Sequence, residues 1–307
     1  MTQNQFHYLL EKISSAEFNS DPFSHIEIRD FFSKEHFDLI VSDPQIRLDT
    51  QENTKSMIEN LLELGYFPCN FAGVTPDIDV YLNCRETDNW PVDKRRTDRI
   101  GMVFQLRFIR NYIIKELMDF LRGHDFLKCL CEKFSISENE IKRQFSIQKY
   151  LDGYEISPHP DNYKKKLTFL LNINPDDKLS TVNDLHTKLL EFKPEKKFIS
   201  EYWKYNIDYN RDAVPWDWTV TKKIINRNNT LLMFAPNERT LHAVKLDYDH
   251  TKTQRTQIYG NIFDSDTADK IKQKQFPFVK YTSFDIQPDW STTEYDYIYD
   301  KRLVREK

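Results

Sequence analysis

The sequence predicts an α+β protein with a double-stranded β-helix, or jelly-roll, core backed by N-terminal helices. Three observations carry that prediction. Up to about residue 135 the apolar residues recur at helical spacing. Beyond it the texture changes to short apolar or alternating runs bounded by Asn, Asp, Pro and Gly, which is how antiparallel strands read. No internal repeat interrupts this order, so helices followed by many short strands suggest one layered domain. The expected division is an N-terminal extension over 1–135, a core over 136–275 carrying an aromatic insertion at 196–229, and a tail over 276–307.

The elements follow in order. Ile26 to Phe32 reads as a strand, and Ser33 offers an N-cap oxygen to a helix running through Phe37, Leu39 and Ile40. A helix over Thr54 to Leu64 places Ile58, Leu61 and Leu62 on one face, and Gly65 ends it. The strongest helical pattern runs from Phe104 to Leu121 through Phe108, Ile109, Tyr112, Ile113, Leu117 and Phe120, closed by Gly123. A further helix covers Asp125 to Phe134. Strands are expected at Gln144–Leu151, Lys166–Ile173, Thr187–Phe192, Thr230–Phe234, Leu241–Leu246 and Thr256–Phe263. Between two of them lies the insertion, with Tyr202, Trp203, Tyr205, Tyr209, Trp216 and Trp218. Long segments of this kind are usually functional.

Composition narrows the function classes. A chain of 307 residues can bury a full-sized core. Its 44 Lys plus Arg stand against 48 Asp plus Glu, so it lacks the basic excess of a phosphate-backbone binder, and nucleic acid is not an expected partner. Met1 to Ser20 lacks the basic start and apolar run of a signal peptide, and no run of 18 apolar residues offers a membrane span. Cys69, Cys84, Cys129 and Cys131 lack zinc-site spacing and read as core thiols of a reduced, cytoplasmic protein.

His159-Pro160-Asp161 follows a strand signal. Residues two apart in extended chain project to one side, so an imidazole and a carboxylate there can reach one metal ion. Leu241-His242-Ala243-Val244 supplies a distant histidine among strand formers. Two histidines and one carboxylate leave three octahedral positions open, which suits ferrous oxygenase chemistry, whereas a closed structural zinc site needs four ligands. His7, His25, His36, His124 and His250 have no comparable setting, and His186 stands at the start of an expected strand. Arg255 lies 13 positions after His242 on the next strand, where a guanidinium can grip a carboxylate through two hydrogen bonds.

These residues resemble the 2-oxoglutarate/Fe(II) oxygenases of the prolyl-4-hydroxylase-like superfamily. Tyr150, two residues, Gly153, five residues and then His159-x-Asp161 is similar to that family's pattern. Lys166 to Asn174, Thr230 to Phe234 and Arg239 to Val244 resemble its following strands, so the likeness covers about Phe145 to Phe263 and, more loosely, Glu27 to Asp43. It implies iron held by His159, Asp161 and His242. It also implies 2-oxoglutarate chelating that iron through its C1 carboxylate and C2 keto group, with O2 as the second co-substrate. Arg255 would grip the C5 carboxylate with Tyr150 beside it, and position 257, a glutamine (Gln257), is a further candidate co-substrate contact. Asp161 stands where halogenating members carry a small residue, which favours hydroxylation. In two places the chain departs from the pattern: Asn183-Asp184-Leu185-His186 replaces a common Gly-Gly pair, and the interval from His242 to Arg255 is longer than usual.

The expected reaction is hydroxylation of an unactivated C–H bond of a small molecule, releasing succinate and CO2. The alternatives are a protein prolyl or other side-chain hydroxylase, a cupin-like metalloenzyme that does not use 2-oxoglutarate, and a jelly-roll binding module using the aromatic insertion. Lys94, Arg95, Arg96 and Arg99 could attract an anionic group or form a solvated charged run.

Overall fold

The computed structural model of the chain describes residues 4–264 apart from 72–73, 91–99, 139–140, 177–184, 207–210 and 212. The expected tail over 276–307, Asn183, Asp184, Tyr209 and the basic run at 94–99 lie outside the described residues.

Two antiparallel sheets form the body. The larger has strand order β1-β9-β6-β11-β4-β3-β2, and the smaller has order β5-β10-β7-β8. In chain order the strands are β1 (Ile26–Arg29), β2 (Tyr66–Pro68), β3 (Val103–Leu106), β4 (Ile141–Tyr150), β5 (Glu155–His159), β6 (Lys165–Asn172), β7 (Thr187–Phe192), β8 (Thr219–Ile225), β9 (Thr230–Phe234), β10 (His242–Lys245) and β11 (Arg255–Asp264). The helices are α1 (Leu9–Ser15), α2 (Lys34–Ser42), α3 (Thr54–Glu63), α4 (Ile78–Thr87), α5 (Tyr112–Leu121), α6 (His124–Phe134) and α7 (Phe198–Tyr205).

Most expected elements form for the reasons the residues give. Ser33 caps α2 by accepting from the His36 amide, and Asn53 with Ser56 closes a capping box at α3. Gly65 follows α3 at φ +89°, where an added Cβ would stand 2.8 Å from the Phe108 carbonyl oxygen. The helix expected over Phe104 to Leu121 is a correction. Its first residues form β3, and the helix begins only at Tyr112. Val103 to Gln105 pair with β4, so a backbone ladder beside a buried strand wins over helical periodicity. Phe108 and Tyr112, which that periodicity placed on the buried face, are exposed. Segment 196–229 contains α7 and the edge strand β8, and β8 pairs with β7.

The alternation of side chains on β4 and β11 divides the molecule. Phe145, Ile147, Ile258 and Ile262 face the N-terminal helices and join the main core with Leu9, Ile40, Leu61, Leu117 and Phe126. Ring contacts tie helix to sheet here: Phe126 meets Phe145 and Phe169 edge to face at 5.6 and 5.9 Å. On the opposite face stand Gln148, Tyr150, Arg255, Gln257 and Tyr259, which line a cavity between the two sheets. Beside them Leu170, Leu232 and Phe234 pack with Leu189 and Ile225 of the smaller sheet, closing one end with apolar contact. The four cysteines form no disulfide. Among the described residues no helix is long and apolar enough to cross a membrane.

Candidate metal and co-substrate site

His159 ends β5 and His242 begins β10, and the two stand directly opposite in the antiparallel ladder. Pairing brings the rings to 4.3 Å between centroids. Each imidazole is oriented in the same way: Nδ1–H of His159 donates to the Ser157 carbonyl at 2.8 Å, and Nδ1–H of His242 donates to the Thr240 carbonyl at 3.0 Å. Those bonds fix the tautomer and turn both Nε2 atoms toward one point. Asp161 Oδ2 lies 3.7 Å from His242 Nε2. One ligand atom from each of His159, Asp161 and His242 falls within 4.8 Å of the others, and all three residues are buried. Among the described residues this is the one group of three or more His, Cys, Asp or Glu side chains that could hold an ion.

The charge states suit a cation. Burial pushes His159 down to about 3, helped by the nearby His242, and burial also lowers His242, so both imidazoles are neutral at physiological pH. Burial alone would raise the Asp161 carboxyl, but Lys165 and the two imidazoles override it and hold it well below the usual carboxylate range. Two neutral nitrogens and one anionic oxygen on one side of a site form a donor set that suits a divalent metal ion with positions left open.

Arg255 begins β11 opposite Tyr150 on β4. It is 2% exposed, and its guanidinium carbon lies 4.4 Å from the Tyr150 ring centroid. Nε and Nη1 have no hydrogen-bond partner. Burial draws its pKa below the ordinary value, opposed by Tyr150, Tyr154 and Tyr248. A buried cation with two unpaired donors is costly unless an anion completes it, and Arg255, on the larger sheet, lines the same cavity as the His/Asp/His group. The Tyr150 hydroxyl donates to Gln148 Oε1 at 2.6 Å, and Gln257 donates through Nε2 to Asn172 Oδ1 at 2.8 Å while lining the cavity.

The structure thus gathers His159, Asp161, His242, Arg255, Tyr150 and Gln257 around one cavity. His250 is buried elsewhere, accepting from the Asp152 amide at 3.2 Å. Sequence reasoning missed Lys165, Thr168 and Tyr259. Lys165 Nζ donates to Asp161 Oδ1 at 2.6 Å and to the Tyr259 hydroxyl at 3.0 Å, while the Thr168 hydroxyl donates to Asp161 Oδ2 at 2.5 Å. The only sequence trace of Lys165 is a run of three lysines, Lys164 to Lys166, just past the His-x-Asp triplet.

No family model matches the chain, and no curated protein matches it. Among solved structures it is similar to a prolyl hydroxylase from Trichoplax adhaerens in complex with a hypoxia inducible factor oxygen degradation domain peptide fragment. The identity is 14% over 86% of this chain and 91% of that one, with a TM-score of 0.37. It is similar also to a Pseudomonas putida prolyl-4-hydroxylase, at 8% identity over 84% and 98% with a TM-score of 0.35. The third is the non-heme alpha ketoglutarate dependent epimerase SnoN from nogalamycin biosynthesis, at 8% identity over 84% and 83% with a TM-score of 0.39.

Proposed function

We propose that this chain is an Fe(II)/2-oxoglutarate-dependent oxygenase of the prolyl-4-hydroxylase-like group, built on a double-stranded β-helix. The observation that carries the reading is Arg255. Within one cavity, a buried guanidinium with unpaired donors faces the same space as two neutral imidazoles and an ionised carboxylate. A metal-only site has no use for that arginine, whereas a co-substrate with a metal-binding end and a distal carboxylate uses both features.

In this reading His159, Asp161 and His242 hold the iron, and Arg255 receives the C5 carboxylate of 2-oxoglutarate. Iron with 2-oxoglutarate and O2 supplies the oxidising power for hydroxylating a C–H bond, with succinate and CO2 as by-products. The chain's own residues bind, orient and keep the space dry. Tyr150 stacks under the guanidinium and fixes its plane, and Gln148 holds the tyrosine hydroxyl. Phe71, Ile156, Leu170 and Val244 supply apolar wall, while Gln144 and Asn162 offer polar contacts to a substrate. A small molecule fits this mixture best.

The test is anaerobic. Fe(II) and 2-oxoglutarate added together should give a metal-to-ligand charge-transfer band, and O2 should then release succinate. Iron binding without the band would make the chain a metalloenzyme of another kind.

A further inference from the structure

We propose that Lys165 is a positioning residue that confines Asp161 to one-oxygen coordination and so keeps a metal position open; this rests on the iron and 2-oxoglutarate reading above. The argument begins in the backbone. On β6, the inward residues Thr168, Leu170 and Asn172 alternate regularly against β11, and strict alternation would send Lys166 inward and Lys165 outward. The register breaks there: Ile262 pairs with Leu167, but Phe263 pairs with Lys165, leaving one extra residue on β6. That bulge reverses the alternation and re-aims a side chain, as bulges beside functional sites do. Lys165 turns into the cavity wall and is 5% exposed, while Lys166 is exposed and pairs with Asp264 at 3.1 Å.

Inside, the ammonium is fixed from both sides. It donates to Asp161 Oδ1 at 2.6 Å and to the Tyr259 hydroxyl at 3.0 Å. Thr168 donates to the other carboxylate oxygen, Oδ2, which is the one 3.7 Å from His242 Nε2. The carboxylate therefore presents Oδ2 toward the imidazoles while Oδ1 is occupied by a cation. A carboxylate chelating through both oxygens would leave only two of six octahedral positions beside two histidines, enough for 2-oxoglutarate and none for O2. An ammonium on Oδ1 opposes that mode. It also neutralises Asp161, leaving the metal its full charge toward a dianionic co-substrate.

The test compares the parent protein with Lys165→Met and Lys165→Arg, using Co(II) in place of Fe(II) because its d–d absorption reports coordination. Without 2-oxoglutarate, the parent and Lys165→Arg should give the same Co(II) spectrum, and Lys165→Met a different one with metal still bound. With Fe(II), anaerobic titration should show Lys165→Met binding 2-oxoglutarate at least about 10-fold more weakly, the scale typical of residues behind metal ligands. A Met variant matching the parent in both readouts overturns the proposal. So does one that loses the metal together with the co-substrate, because Lys165 would then only hold the ligand set in place. If Lys165→Met does not fold, Lys165→Gln keeps a donor on Oδ1 without the charge. It should keep the parent Co(II) spectrum while weakening 2-oxoglutarate, and an unchanged 2-oxoglutarate affinity overturns the proposal. Should no protein of the series bind 2-oxoglutarate, the co-substrate reading fails, and the Co(II) spectra still decide how Lys165 acts on Asp161.

Discussion

Arg255 and Tyr150 face each other across the β4–β11 ladder, with the guanidinium carbon 4.4 Å from the ring centroid and two guanidinium nitrogens unpaired. The stack sets the plane of the fork, and the unpaired donors set its affinity for a carboxylate. Arg255→Lys keeps the charge and loses the fork, so the 2-oxoglutarate requirement should rise while iron binding stays. Arg255→Ala should go further: deleting one partner of a buried charge pair costs about 2 to 5 kcal/mol, or at least about 30-fold in affinity. Anaerobic titration of the charge-transfer band measures both. Parent-like affinity in Arg255→Ala would assign the C5 carboxylate to another residue.

Gly260 on β11 lies against the Phe145 ring, on the face of the sheet behind the site. A Cβ there would stand 2.4 Å from the Phe145 ring, which Phe126 and Phe169 hold edge to face at 5.6 and 5.5 Å. The ring has nowhere to go. Gly260→Ala should therefore destabilise the fold by about 1 to 3 kcal/mol through overpacking. Adding Phe145→Leu should recover part of the loss, giving a double mutant milder than the sum of its singles. Urea unfolding of the four proteins checks this, and simple additivity would show that the two positions do not clash.

Buried histidines give the metal-free protein an acid-sensitive fold. His159 and His250 are both pushed down to about 3, chiefly by burial, aided by His242 for the first and Arg85 for the second. Burial also lowers His242 and His25. With each folded pKa below the unfolded 6.5, only the unfolded chain takes up protons as the pH drops. Stability is thus complete above about pH 6.5 and is lost as pH falls toward the folded values. Each such histidine adds up to about 1.4 kcal/mol per pH unit to that slope. His250→Gln, which keeps an acceptor for the Asp152 amide, should make the slope shallower by up to that amount between about pH 6.5 and 4.5, above most carboxylate titrations. An unchanged slope would mean that His250 titrates alike in both states.

The candidate metal group was legible because strand spacing speaks directly about direction: two residues apart on an extended chain face one way, and a distant histidine among strand formers, His242, gave His159 and Asp161 the context that the short motif lacks alone. His242 was legible through its flanking strand formers. Lys165 was not, because its inward aim depends on a bulge whose position is set by pairing with Phe263, a residue 98 positions away. The first turns of the expected helix over Phe104 to Leu121 misled for a related reason. Their apolar spacing is helical, yet the exposed backbone edge of β4 recruits Val103 to Gln105 as a strand. Both failures are tertiary pairing overriding a local pattern.

The long interval between His242 and Arg255 has a structural use. The chain between β10 and β11 carries Tyr248, whose hydroxyl donates to the Tyr150 carbonyl and accepts the Arg255 amide at 3.0 Å. Its own amide donates to Asp152 Oδ1 at 3.1 Å, and Asp152 is paired with Arg85 and receives the Tyr81 hydroxyl at its carbonyl, 2.6 Å away. One tyrosine therefore joins the ends of the two strands that carry the stacked pair. Tyr248→Phe removes both bonds, which should destabilise the fold by about 1 to 3 kcal/mol. With its strand end loosened, Arg255 should hold 2-oxoglutarate up to about 10-fold less tightly, the equivalent of one lost hydrogen bond. The imidazoles are set by their own strands through Ser157 and Thr240, so Co(II) affinity should not change. Equal losses of metal and 2-oxoglutarate would mean that Tyr248 supports the whole cavity rather than the arginine end, and the longer interval would then need another explanation.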